Sequence, residues 1–200
     1  CRRATTMGGT VIIIHPHWRH AMVRVKVDKS SLSIIFKVTF KIDSSLPNLP
    51  PQLFEIIGAY IPPRASNSAG PCTLHQRLQQ YLNASSNDRF STITPRSYGQ
   101  TVVQKWCLRA QAQGRFVGIT GDLNGTADIG SSNSIRDWIS ALHVRAPLSE
   151  QLLPQQEYFT FFNGATGVSR LDHVLHSPPS PSYSITEFGV FNSPSYVHVF

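Results

Sequence analysis

Asp122 and Asn124 stand two residues apart in Gly121-Asp122-Leu123-Asn124, directly after a short apolar run at residues 116–120 that reads as a buried strand. Residues two apart in extended chain project to the same side, so the carboxylate and the carboxamide leave the strand end together, facing one site. A titratable acid thus sits beside a neutral amide that both donates and accepts hydrogen bonds. A buried strand that ends in such a pair before a Gly-rich loop is where α/β proteins commonly place chemistry. The competing reading is a turn or a helix cap, which Asp and Asn favour for their own backbone hydrogen bonds.

Two further strand ends carry polar side chains. Tyr60 closes a strand at residues 53–60 just before Pro62-Pro63, and Asp172 lies within Ser169-Arg170-Leu171-Asp172-His173-Val174-Leu175. His15, His17 and His20 crowd around Pro16 and Trp18. No thiolate or carboxylate accompanies them, and they read as a loop rather than a metal site.

Periodicity supplies the elements that must position these residues. The β-branched run at residues 10–15 predicts a buried strand. Residues 21–27 and 32–42 alternate, with Val23, Val25, Val27, Phe36, Val38, Phe40 and Ile42 inward and Arg24, Lys26, Lys37, Thr39 and Lys41 outward. That pattern predicts a long antiparallel hairpin with a basic outer ladder. Leu74, Leu78, Tyr81 and Leu82 fall at helical spacing, and so do Val102, Val103, Trp106, Leu108 and Ala110 in a second helix over 101–113 that Gly114 ends. Residues 84–99, rich in Ser, Thr and Asn, predict an exposed excursion between the two. A short helix follows at 135–142, then strands at 158–162, 169–175, 184–191 and 195–200. Strand-rich ends around a helical middle predict an α+β fold, a layered sandwich of two sheets covered by helices, with residues 1–200 as one domain.

Charge is one-sided. The net charge is +7, and up to Lys41 the chain holds eight basic residues against the single acid Asp28, while the remainder balances at ten and ten. A basic segment of this kind is the electrostatic footprint of a polyanion binder, or else a solvated strand face kept charged against edge pairing. No apolar run approaches the length of a membrane span, so no membrane partner is expected. Three scattered cysteines, Cys1, Cys72 and Cys107, have neither metal spacing nor an even count. They argue against a disulfide framework and for an intracellular, reducing compartment. The first residues are Cys1-Arg2-Arg3 rather than Met, with no signal-peptide pattern, and a fragment or processed product is expected.

The ordered set Gly8-Gly9-Thr10-Val11, Gly58-Ala59-Tyr60-Ile61-Pro62-Pro63, Gly121-Asp122-Leu123-Asn124 and Ser169-Arg170-Leu171-Asp172-His173 resembles the endonuclease/exonuclease/phosphatase (DNase I-like) superfamily across nearly the whole chain. The Ala-Tyr-x-Pro-Pro and Ser-Arg-Leu-Asp-His forms look most like the endonuclease domains of non-LTR retrotransposons. The resemblance implies a four-layer α/β/β/α sandwich of two packed, mostly antiparallel sheets with the active site at one end. It implies hydrolysis of DNA phosphodiester bonds with Mg²⁺ or Mn²⁺, in the cytoplasm or nucleus, as part of a longer polyprotein with a reverse transcriptase. By resemblance Asp122 orients or deprotonates the attacking water and binds the metal, and Asn124 holds that water or a phosphate oxygen. Tyr60 donates to the phosphate or leaving group, Asp172 orients a catalytic His near the C-terminus, and Arg170 joins Asn124 in binding substrate. The basic ladder, read from charge alone, adds Arg24 and Lys26 as substrate contacts.

The sequence departs from the family in two places. The family's first strands carry an Asn and a Glu that is the main Mg²⁺ ligand, and this chain is expected to begin downstream of both, which implies impaired activity. The family's closing Ser-Asp-His compares with Ser195, Tyr196 and His198, so a Tyr stands in the Asp position and the His comes one residue late. A one-residue slip turns a strand side chain to the opposite face, and His198 serves as the base only where a bulge re-aims it. Two alternatives stay open: a non-catalytic nucleic-acid-binding remnant, and a phosphatase or phospholipid phosphodiesterase of the same superfamily.

Overall fold

The computed structural model describes residues 10–30, 32–43, 51–64, 73–84, 93–126, 134–145, 161–163, 166–169, 172–178, 190–192 and 197–199. In chain order its elements are β1 (Met22–Val27), β2 (Ile35–Ile42), β3 (Gln52–Ala59), α1 (Leu74–Ala84), α2 (Pro95–Gln111), β4 (Phe116–Asp122), α3 (Arg136–Ala141), β5 (Phe161–Asn163), β6 (Thr166–Ser169), β7 (Asp172–His176), β8 (Val190–Asn192) and β9 (Val197–Val199), with a 3₁₀ turn at Pro16–Ala21. Five strands form one sheet in the order β1-β2-β3-β4-β7. Neighbours are antiparallel except β3 and β4, a parallel pair whose long connection contains α1 and α2. The fold is α+β.

Alternation along the strands gives the sheet two apolar faces. Ile35, Ile57, Ala59, Val117, Ile119 and Leu175 turn to the helices and share a buried cluster with Leu78 and Leu82 of α1, Val103 and Ala110 of α2 and Ile139 of α3. Each such large side chain contributes about 1.5–3 kcal/mol on leaving water. On the other face Phe36, Val38 and Phe40 pack with Ala21, Phe54 and Ile56, and the Phe40 and Phe54 rings stack 4.9 Å apart. Outside this sheet the described strands form two antiparallel pairs, β5–β6 and β8–β9. Among the described residues no helix is long and apolar enough to cross a membrane.

Four local expectations are corrected. The β1–β2 hairpin forms, but Val23, Val25 and Val27 of β1 are exposed rather than inward, and on β2 part of the outer ladder is covered. Thr39 is buried, and Lys37 puts its ammonium 2.5 Å from Glu55 Oε2 and 5.9 Å from the centre of the Trp106 ring of α2. Strand alternation defines two faces without saying whether a helix covers the second, and here α2 does. Residues 10–15 make no ladder within the described residues. Ile12 and Ile14 lean on the second apolar cluster while Val11 and Ile13 stay exposed.

The excursion expected over 84–99 ends early, because α2 starts at Pro95. Thr94 caps it, Pro95 occupies the first turn, and Thr94 and Ser97 cap each other reciprocally. The strand expected over 169–175 is two, β6 ending at Ser169 and β7 beginning at Asp172.

Candidate active site

The parallel alignment of β3 with β4, and the antiparallel alignment of β7 with β4, bring Tyr60, Asp122 and Asp172 to one end of the sheet. Asp122 pairs with Asp172 across the β4–β7 register. Two backbone bonds tie the strand ends together, Tyr60 N–H to Ile34 O at 2.8 Å and Ile61 N–H to Asp122 O at 2.8 Å. Gly121 permits the approach. Its φ is +133°, and a Cβ there would lie 2.1 Å from Ala59 O.

The chain then turns sharply through Asn124, which has φ +45°. The Asn124 backbone N–H donates to Asp122 Oδ1 at 2.8 Å, and its side-chain Nδ2 donates to Ile61 O at 3.0 Å. The carboxamide is therefore fixed between β3 and β4. The turn expected of an Asp-x-Asn segment and the site suggested by its residue types are the same structure.

Electrostatics set the protonation states. Burial is the largest influence on Asp122, and with the nearby Asp172 carboxylate it pushes the Asp122 pKa up to about 6, against lowering by hydrogen bonds from Asn124 and by Arg96. Burial and Asp122 raise the Tyr60 phenol, while a hydrogen bond from the Asn124 carboxamide pulls the other way. Tyr60 thus remains a protonated donor beside an acid that ionises near neutrality. By contrast the buried Cys107 thiol is pushed up to about 12 by burial, which removes it as a nucleophile.

Arg96 was missed in the sequence. It sits in the first turn of α2, is 8% exposed, and reaches across to donate from Nη1 to Asn124 O at 2.9 Å and to Pro62 O at 3.4 Å. It clamps the turn after β4 to the segment after β3, and its other terminal nitrogen, Nη2, is buried with no hydrogen-bond partner among the described residues. Burial and the exposed Arg64 lower its pKa, and Asp122 acts against them. The cue was the Thr94-Pro95-x-Ser97 helix start, which places Arg96 in an opening turn rather than a loop. His173, buried next to Asp172, has Nε2 2.6 Å from Gly125 O and fastens the same turn from the β7 side.

The remaining expected residues lie apart from this group or outside the described residues. Arg24 and Lys26 are on β1, at the far edge of the sheet. Arg170 lies outside the described residues. His198 pairs with Phe191 in β8–β9, where no bulge interrupts Val197–Val199, and its side chain is outside the described ones.

Asp122 and Asp172 offer two carboxylates and Asn124 an amide oxygen, the hard donors that Mg²⁺ or Mn²⁺ takes while keeping waters. No cluster of three or more His, Cys, Asp or Glu that could hold a metal occurs among the described residues. The donors fit a hydrated ion shared with a substrate phosphate, not a fully protein-caged one.

No protein-family model and no curated protein matches the sequence. Among solved structures the chain is similar to the human Nocturnin catalytic domain with bound sulfate anion, at 11% identity and a TM-score of 0.40, over 78% of this chain and 47% of that one. It is also similar to an endonuclease/exonuclease/phosphatase family protein from Bacteroides thetaiotaomicron, at 12% identity and a TM-score of 0.34, over 82% of this chain and 51% of that one. The chain spans about half the length of either.

Proposed function

We propose that this chain carries the phosphodiester-hydrolysing site of a Mg²⁺- or Mn²⁺-dependent DNA endonuclease, with activity impaired by the departures at the family's Glu and Asp-His positions. The observation that carries the reading is the convergence of Tyr60, Asp122, Asn124 and Asp172 at one sheet end, with an acid poised near neutral pH. Water adds to phosphorus and loses its proton to Asp122. The bond to the leaving oxygen breaks, and Tyr60 supplies a proton to that oxygen. Asn124 holds the water or a non-bridging oxygen, and Arg96 keeps Asn124 in place. Asp122 and Asp172 would hold the metal ion, which supplies neutralisation of phosphoryl charge when bound.

The Tyr60 and Asp172 segments support a retrotransposon-type endonuclease, working in the cytoplasm or nucleus within a longer polyprotein that carries a reverse transcriptase. The test is incubation of the purified chain with supercoiled plasmid and Mg²⁺ or Mn²⁺. Weak nicking that EDTA and Asp122→Ala both abolish is expected. Cleavage that survives Asp122→Ala, or none with either metal, overturns the reading. A loss in His198→Ala as deep as in Asp122→Ala would move the base to His198.

A further inference from the structure

A second charged feature lies well away from the strand ends. Lys26 Nζ stands 5.2 Å from the centre of the Trp106 ring, so β1 meets α2 there. Arg24 lies two residues before Lys26 and shares its side of β1. Lys105 and Arg109 are one turn apart on α2, flanking Trp106, and all four cations are exposed. Among the described residues, the charges that act on the Lys26 ammonium are positive: Lys37, Arg24, Arg109 and Lys105.

The acids of this region are committed elsewhere. Glu55 is buried between Lys37 and Arg115, and Asp28 accepts from Ser30, Ile35 and Tyr98. Among the described residues, positive charge is therefore concentrated without compensation on one surface, and a polyanion would relieve the repulsion.

We propose that Arg24, Lys26, Lys105 and Arg109 form a docking surface for the phosphate backbone of nucleic acid, separate from the reaction centre. The choice of nucleic acid rests on the phosphodiesterase reading given above. Arg96 marks the site end of α2, and Lys105 and Arg109 lie nine and thirteen residues further on, about 14–20 Å along the helix. That is about four to six nucleotide steps, a span that a short duplex covers. Trp106 is only 7% exposed and cannot stack on a base, so the surface reads backbone charge and not sequence.

The test is fluorescence anisotropy of the full chain on a labelled 20-base-pair DNA duplex in EDTA, across a salt series. In Lys105→Gln/Arg109→Gln the slope of log affinity against log salt should fall by about 2, and low-salt affinity by about tenfold or more. Arg24→Gln/Lys26→Gln should do the same from β1, and Arg109→Lys should bind as wild type. Either double variant, folded by circular dichroism, with unchanged affinity and slope overturns the proposal. So does a chain that ignores DNA but binds phosphatidylserine vesicles through these residues. Patch-dependent binding without plasmid cleavage removes the catalytic reading and leaves the surface standing; cleavage with patch-independent binding does the reverse.

Discussion

Asp122 and Asp172 face each other across the β4–β7 register, so each strand end brings a carboxylate up to one of like charge. Asp172 adds to the effect of burial in holding the Asp122 proton up to about pH 6. In Asp172→Asn that like charge is gone while the desolvation remains. The Asp122 midpoint, followed by carboxyl-carbon NMR in the metal-free chain, should drop but stay above the ordinary 3.8. A midpoint that does not move would mean the two carboxylates do not interact.

The same shift makes stability depend on pH. Asp122 holds its proton more tightly folded than unfolded, so below 3.8 both states are protonated and nothing is lost. As pH rises from 3.8 through about 6 the folded chain must ionise a desolvated carboxylate, and stability falls before levelling off. Asp122→Asn should therefore melt higher than wild type at about pH 7.5, by about 2–4 °C for each kcal/mol relieved, with the gap closing near pH 4. An equal gap at both pH values, by scanning calorimetry, would point to a packing effect instead.

Arg96 Nη1 donates to two carbonyls, Pro62 O and Asn124 O. A lysine ammonium sits on a shorter, flexible stem and lacks the planar guanidinium that holds that nitrogen in place. Arg96→Lys should cost about 1–3 kcal/mol in urea unfolding, the scale of leaving a buried carbonyl unpaired. It should also slow plasmid cleavage through loosening of Asn124. Stability loss with cleavage unchanged would confine Arg96 to a structural part.

Glu55 is fully buried and answers two cations, Lys37 Nζ at 2.5 Å and Arg115 Nη1 at 2.5 Å. Glu55→Gln leaves both largely covered charges without this anion. Breaking a buried pair in this way costs about 3–5 kcal/mol, measurable as a lower denaturation midpoint. Glu55→Gln with Lys37→Met should recover part of that loss, since one stranded charge is removed.

The meeting of the candidate residues at one sheet end was legible because they end strands. The runs before Tyr60 and Asp122 are apolar enough to be recognised as strands, and once β3 and β4 lie parallel their ends must coincide. What the sequence could not show was coverage. Lys37 and Thr39 alternate like solvated residues, yet α2 lies over them, and only the neutralising contact with Glu55 makes that position tolerable. Arg96 was hidden for a related reason. It stands in a stretch of Ser, Thr and Asn whose composition reads as loop, while the reciprocal Thr94–Ser97 cap starts a helix there. Local propensity gave way to a capping pattern spread over four positions. The isoleucines of residues 10–15 show the opposite failure, strong strand propensity with no ladder partner among the described residues.

Gly121 has a consequence for how this chain can vary over generations. Its φ of +133° and the 2.1 Å gap that a Cβ would meet at Ala59 O leave no room for any side chain. Every amino acid one base change away from a glycine codon carries a Cβ. A single point mutation there would push β4 off β3 and carry Asp122 and Asn124 out of register together. The position is thus a genetic weak point: in a lineage released from selection for the chemistry, its loss would disable the strand end in one step. A glycine still in place marks a chain in which that step has not been taken.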